Sequence, residues 1–66
     1  MTIQEAAEEI GGLVEYVQFV ITGHTHSDYG IISSVSDRWV FVRFNLSDTA
    51  AACDPGSLNL LVHPIR

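Results

Sequence analysis

The sequence contains no lysine, and its only permanent positive charges are Arg38, Arg43 and Arg66. Eight acidic residues oppose these three arginines and give a net charge of −5. A protein that binds nucleic acid through its phosphates needs a patch of several basic side chains. The charge balance therefore argues against a nucleic-acid partner. It favours the basic surface of another protein as partner, or it serves only to keep the chain soluble.

Other features are scarce as well. Cysteine occurs once, at Cys53, so the chain lacks the internal disulfides of small secreted domains. We see no basic start followed by an apolar core, and the apolar runs fall far short of the ~20 residues that span a bilayer. We therefore expect a cytoplasmic protein with no membrane segment. With 66 residues we expect a single domain, 1–66, that is not an enzyme and uses no cofactor.

A short helix is predicted at residues 2–11. Thr2 and Glu5 have the spacing of a capping box, in which each side chain accepts a hydrogen bond from the other residue's backbone N–H. Gly11 supplies a left-handed stop. Apolar residues at helical spacing predict a stripe that docks on the rest of the chain, formed by Ile3, Ala6, Ala7 and Ile10.

Residues 12–66 predict a small β-barrel. Runs rich in Val, Ile, Tyr and Phe predict strands at 13–22, 29–36, 39–46 and 58–63. Glu15 and Gln18 fall in opposite phases, which indicates a bulge midway along the first strand or a strand covered on both faces. Residues 23–28 predict a polar loop, and residues 54–57 one turn of 3₁₀ helix. Residues 49–53 fit either a short strand or a helical turn.

The third strand predicts a contact surface. Val40, Val42, Phe44 and Leu46 alternate on a core face, while Trp39, Phe41, Arg43 and Asn45 fall on the other. Aromatic residues and arginine are enriched at binding hot spots. We therefore expect Trp39, Phe41 and Arg43 to bind a protein, with the acidic helix residues Glu5, Glu8 and Glu9 as an electrostatic rim. The alternatives are that the helix or a second copy covers this row, and a homodimer or higher oligomer is expected.

Residues 29–44 carry a pattern, G-x-I-x-S-V-x-D-R-x-V-F-V-R-F, that resembles small phage and prophage proteins of uncharacterised function. The resemblance continues through Ala52-Cys53-Asp54-Pro55 and Leu58. The element order is that of a five-stranded SH3-like barrel preceded by a helix. The resemblance implies a small barrel encoded by a mobile or viral genome, and it carries over no catalytic residue.

The loop His24-Thr25-His26-Ser27-Asp28 is an H-x-H-x-D string, similar to the start of the metal-binding motif of metallo-β-lactamase-like hydrolases. Two imidazoles at alternate positions would be able to chelate zinc. That family needs further ligands and a far larger scaffold, so a solvated loop is the simpler interpretation. His24 and His26 remain candidate metal ligands.

Three further groups have a chemical and a structural interpretation. Arg38 and Arg43 together would hold an anion, or Arg38 would only shape the hairpin turn. Cys53 is a nucleophile only beside a base, and a buried apolar role is favoured. The helix residues Glu5, Glu8 and Glu9 would form a site of paired carboxylates or only the solvated face of the helix.

Three functions follow. The first is a phage or prophage accessory protein that binds a host protein in the host cytoplasm and modulates or inhibits it. The second is a nucleic-acid- or ribosome-associated barrel, which the charge opposes. The third is a small-ligand- or metal-binding oligomer, which the ligand count opposes.

Overall fold

A computed structural model describes residues 1–19, 23, 25–44 and 48–64, without the side chains of residues 18, 19, 25 and 26. The elements within those residues are α1 (Ile3–Glu8), β1 (Leu13–Phe19), β2 (Thr25–Val35), β3 (Val40–Phe44), β4 (Ala51–Cys53), a 3₁₀ helix (Pro55–Ser57) and β5 (Leu58–Val62). A mainly β protein with a short N-terminal helix is confirmed. No helix in this part of the chain has the length and hydropathy needed to cross a membrane.

The capping box at the start of α1 is confirmed in both directions. The Glu5 backbone N–H donates to Thr2 Oγ1, the Thr2 backbone N–H donates to Glu5 Oε1, and both distances are 3.1 Å. Of the predicted stripe, Ala6 is fully buried, whereas Ala7 and Ile10 are exposed. Ile10 does not join the stripe because the helix ends two residues earlier, at Glu8.

The five strands form an antiparallel sheet in the order β4-β3-β2-β1-β5. Among the described residues no pairing joins β4 to β5, so the predicted barrel is an open sheet with two edges. One face of this sheet, with α1 against it, holds the core. The buried core side chains are Ala6, Val14, Ile32, Val40, Val42, Cys53 and Leu58.

Two register shifts decide which side chains reach the core. In β2 the shift lies between Ile32 and Ser34, so Ile32 pairs with Val42 and Val35 pairs with Val40. The extra residue returns Val35 to the core face, where it packs on the buried cluster. A second shift against β5 lies at the start of β1. The bulge predicted midway along β1 is not found there, because β1 pairs with β2 in unbroken register from Leu13 to Phe19.

The polar segment predicted as a loop is partly strand. Residues 25–28 extend β2 because they pair with Tyr16–Phe19 of β1, and a continuous backbone ladder tolerates polar side chains on its exposed parts. The ambiguous segment contains a strand, β4, and the 3₁₀ turn is confirmed. The predicted ends of the first and third strands, residues 20–22 and 45–46, lie outside the described part of the chain.

Candidate protein interface on the outer sheet face

Strand β3 places Phe41 and Arg43 on the face opposite the core. Val40 and Val42 are buried, Phe41 is half-buried and Arg43 is exposed, as the predicted alternation requires. Trp39 lies in the β2–β3 turn rather than in the strand. The Ser36 backbone N–H donates to the Trp39 carbonyl at 2.9 Å, and Ser36 Oγ accepts from the Trp39 N–H at 3.0 Å. Trp39 therefore flanks the strand face, and it is 45% exposed.

A row of paired residues crosses four strands on this outer face. Arg43 of β3 is opposite Ile31 of β2, Ile31 is opposite Leu13 of β1, and Leu13 is opposite Val62 of β5. Directly paired residues of antiparallel strands share a face and are in contact range. Ile31 is 42% exposed and Val62 is 55% exposed, whereas Leu13 between them is half-buried. The row therefore exposes two apolar side chains beside Arg43.

A second row lies two residues along the sheet. Glu15 of β1 is opposite Tyr29 of β2 and Asn59 of β5, and the Tyr29 hydroxyl donates to Glu15 Oε2 at 3.4 Å. Tyr29 is exposed. We call the two rows, together with Phe41, the outer sheet face. Its members are Leu13, Glu15, Tyr29, Ile31, Phe41, Arg43, Asn59 and Val62.

The β1, β2 and β5 members of this face were not predicted from the sequence. Tyr29 and Ile31 follow the alternation of a regular strand, so the sequence is enough to assign both to one face of the sheet. The sequence is not enough to assign Val62 to a face. Leu60 pairs with Val14 and Val62 with Leu13, which leaves Leu61 as an extra residue between them. That shift moves Val62 from the core face of Leu58 and Leu60 to the outer one.

The acidic helix lies on the opposite side of the sheet from this face. Ala6 of α1 belongs to the buried cluster with Val14 and Ile32, so α1 lies on the core side of the sheet. Phe41 and Arg43 point to the opposite side. The predicted aromatic row and acidic rim are therefore two surfaces on opposite sides of the sheet, and they share Asn59 on the edge strand β5.

The acidic surface borders an open groove of about 410 Å³ between α1 and β5. It is lined by Met1, Glu5, Glu8, Glu9, Leu58, Asn59, Leu60 and His63. The carboxylate of Glu5 accepts the capping hydrogen bond at Thr2, and Glu9 Oε2 lies 3.0 Å from His63 Nδ1. Glu5 thus caps the start of α1, and Glu9 links the end of α1 to the residue that follows β5. Both contacts favour a structural role for these glutamates over a catalytic carboxylate pair.

The two candidate anion ligands, Arg38 and Arg43, lie towards opposite ends of β3. Arg38 lies in the β2–β3 turn and Arg43 near the far end of β3, where its guanidinium is 3.9 Å from Asp48 Oδ1. His26 belongs to β2 and pairs with Gln18, its side chain is not described, and His24 lies outside the described residues. Within the described part of the chain, no three His, Cys, Asp or Glu side chains are grouped to hold a metal ion.

Cys53 occupies the buried position that its structural interpretation predicts. It pairs with Val40 at the end of β4 and belongs to the core cluster. Desolvation by burial raises the pKa of its thiol. A thiol in this environment is a poor nucleophile because little of it is thiolate at neutral pH.

No protein-family model matches the chain, and neither a curated protein nor a solved structure is significantly similar to it.

Proposed function

We propose that this protein acts without catalysis, by binding another protein through the outer sheet face. The observation that carries the proposal is the row Arg43–Ile31–Leu13–Val62, which continues across four paired strands and exposes Arg43, Ile31 and Val62 to solvent. Contiguous apolar surface of this kind is a frequent mark of protein contact. Phe41, Tyr29 and Arg43 add residue types that are enriched in binding hot spots.

The resemblance of residues 29–44 to phage and prophage proteins supports a narrower form of the proposal. In this form the protein is an accessory protein that binds a host protein in the host cytoplasm and modulates or inhibits it. The element order, from helix through long strands and hairpin to the 3₁₀ turn, supports an SH3-like relationship for the sheet. An SH3-like fold hosts many functions, so the proposal depends on the outer sheet face and not on the fold.

The test is capture of partner proteins from host-cell extract with a matched pair of variants. Ile31→Lys places a charge in the middle of the apolar row, and we expect it to abolish the specific capture. Ala7→Lys makes the same change of charge at an exposed position of α1, on the other side of the sheet, and should leave capture intact. Circular dichroism of both variants confirms that each is folded.

A second comparison separates the two surfaces. Phe41→Ala should weaken capture, whereas Glu8→Lys, in the groove between α1 and β5, should leave it unchanged. The opposite pattern, with capture lost for Glu8→Lys and kept for Phe41→Ala and Ile31→Lys, would move the contact to the acidic groove and refute the assignment of the outer sheet face.

A further inference from the structure

The paired positions of the outer sheet face carry one charge of each sign within an acidic chain. They are Glu15 and Arg43, whose guanidinium also lies 3.9 Å from Asp48 Oδ1, whereas the chain carries a net charge of −5. Two copies of an acidic protein repel each other wherever their carboxylates meet. In a contact between two outer sheet faces, the paired positions bring one carboxylate from each copy, that of Glu15.

The two charges are also placed for pairing across a two-fold axis. Arg43 is opposite Ile31, and Glu15 is opposite Tyr29, the residue two positions before Ile31 on β2. From the ordinary strand spacing and rise, Arg43 and Glu15 lie roughly 12 Å apart at the backbone. The midpoint between them falls on β2, between Tyr29 and Ile31.

A two-fold dimer requires a self-complementary surface, in which residue i meets residue j and residue j meets residue i. An axis that lies between two facing sheets, above this midpoint and perpendicular to the line from Arg43 to Glu15, places each Arg43 over Glu15 of the other copy. The exposed side chains of Tyr29 and Ile31 then pack beside the axis. Facing sheets lie about 10 Å apart, a gap that an arginine and a glutamate side chain span together.

We propose that the outer sheet face binds a second copy of this chain in a two-fold, face-to-face dimer held by reciprocal Arg43–Glu15 pairs around Tyr29 and Ile31. The inference rests on the proposed function, because it names a partner of the same face. Any other protein that uses this face has to displace the second copy.

The test is a charge exchange measured by sedimentation velocity over a concentration series. We expect a concentration-dependent dimer for the wild type. Arg43→Glu and Glu15→Arg, each alone, should weaken self-association about tenfold or more, since each replaces two opposite-charge pairs by like-charge pairs. An equimolar mixture of the two variants should restore the dimer, because in the mixed pair every contact again joins opposite charges.

Two control variants make the same changes of charge at positions outside the outer sheet face. They are Arg38→Glu and Asp37→Arg, at exposed residues of the β2–β3 turn, and both should leave self-association unchanged. The mixing step also separates lost pairing from lost folding, since two misfolded variants do not restore each other.

Three results would overturn the inference. They are a wild type that stays monomeric over the series, a dimer that neither variant weakens, and a mixture that fails to recover. If the wild type is monomeric and Ile31→Lys still abolishes partner capture, the dimer is refuted and the proposed function stands. If Ile31→Lys changes neither capture nor self-association, both proposals fail.

Discussion

Gly30 offers a sharp test of how tightly the strands pack. It is buried in β2, between Val14 of β1 and Phe44 of β3. An added Cβ would lie 2.6 Å from Val42 Cγ1 and 2.7 Å from the Arg43 carbonyl oxygen. Both distances are below any ordinary contact, and the carbonyl belongs to the backbone of β3, which cannot move aside without disturbing the β2–β3 ladder.

We therefore expect Gly30→Ala to lower the stability of the fold. Overpacking of a core costs about 1–3 kcal/mol. Removing a glycine restricts the unfolded chain and offsets about 0.4–1 kcal/mol of that cost. The net loss should be about 1–2 kcal/mol, which in a domain of this size lowers Tm by about 5–15 °C.

The measurement is thermal and urea unfolding followed by circular dichroism and by the fluorescence of Trp39. Gly56→Ala is the matched control, because a Cβ there meets only Asp54 Oδ1, at 3.4 Å, and Gly56 is not in the left-handed region. The control should be neutral or slightly stabilising. A Gly30→Ala protein as stable as the wild type would refute the close approach of β2 and β3.

Three further predictions follow from the helix cap, the core thiol and the groove. Thr2→Ala removes the capping box and should cost about 1 kcal/mol of unfolding free energy, against little change for Gln4→Ala, and equal losses would contradict the cap. Alkylation of Cys53 at neutral pH should be slow in the native protein and faster in urea, because burial raises the pKa of the thiol and keeps the reagent from reaching it. A rate in the native protein equal to that of a free thiol would contradict this prediction. His63→Ala should change stability by less than about 1 kcal/mol in urea unfolding, because the His63 side chain that contacts Glu9 is 78% exposed. A larger loss would show that the contact organises the fold.

The sequence was informative wherever one residue type at one spacing has a single structural meaning. The Thr2–Glu5 spacing predicted the capping box, and the alternation from Val40 to Arg43 predicted which side chains are buried. The 3₁₀ turn followed from Asp54-Pro55-Gly56, where the Asp54 carboxylate accepts the Gly56 N–H at 3.0 Å. Each of these structures is determined by neighbours in the chain.

Other features depend on pairing between distant residues, which one sequence does not reveal. The polar residues 25–28 form strand because β1 continues opposite them. The extra residues at Ser33 and Leu61 change which face the following side chains occupy, and no local pattern marks either position. For the same reason the outer sheet face was predicted only along β3, and the helix was assigned to its border although the sheet lies between them.

The strand order has a consequence for the path of folding. β1, β2 and β3 are consecutive neighbours, whereas β5 must find β1 across more than forty intervening residues. Closing so long a loop costs entropy before any contact between these strands forms, and contacts of this kind slow folding. We expect the β1–β2–β3 meander to form first and β5 to dock last, so that amide hydrogens at the β1–β5 seam exchange sooner than those between β2 and β3. The late seam also carries the register shift that brings Val62 to the outer sheet face, so that face is complete only when folding ends.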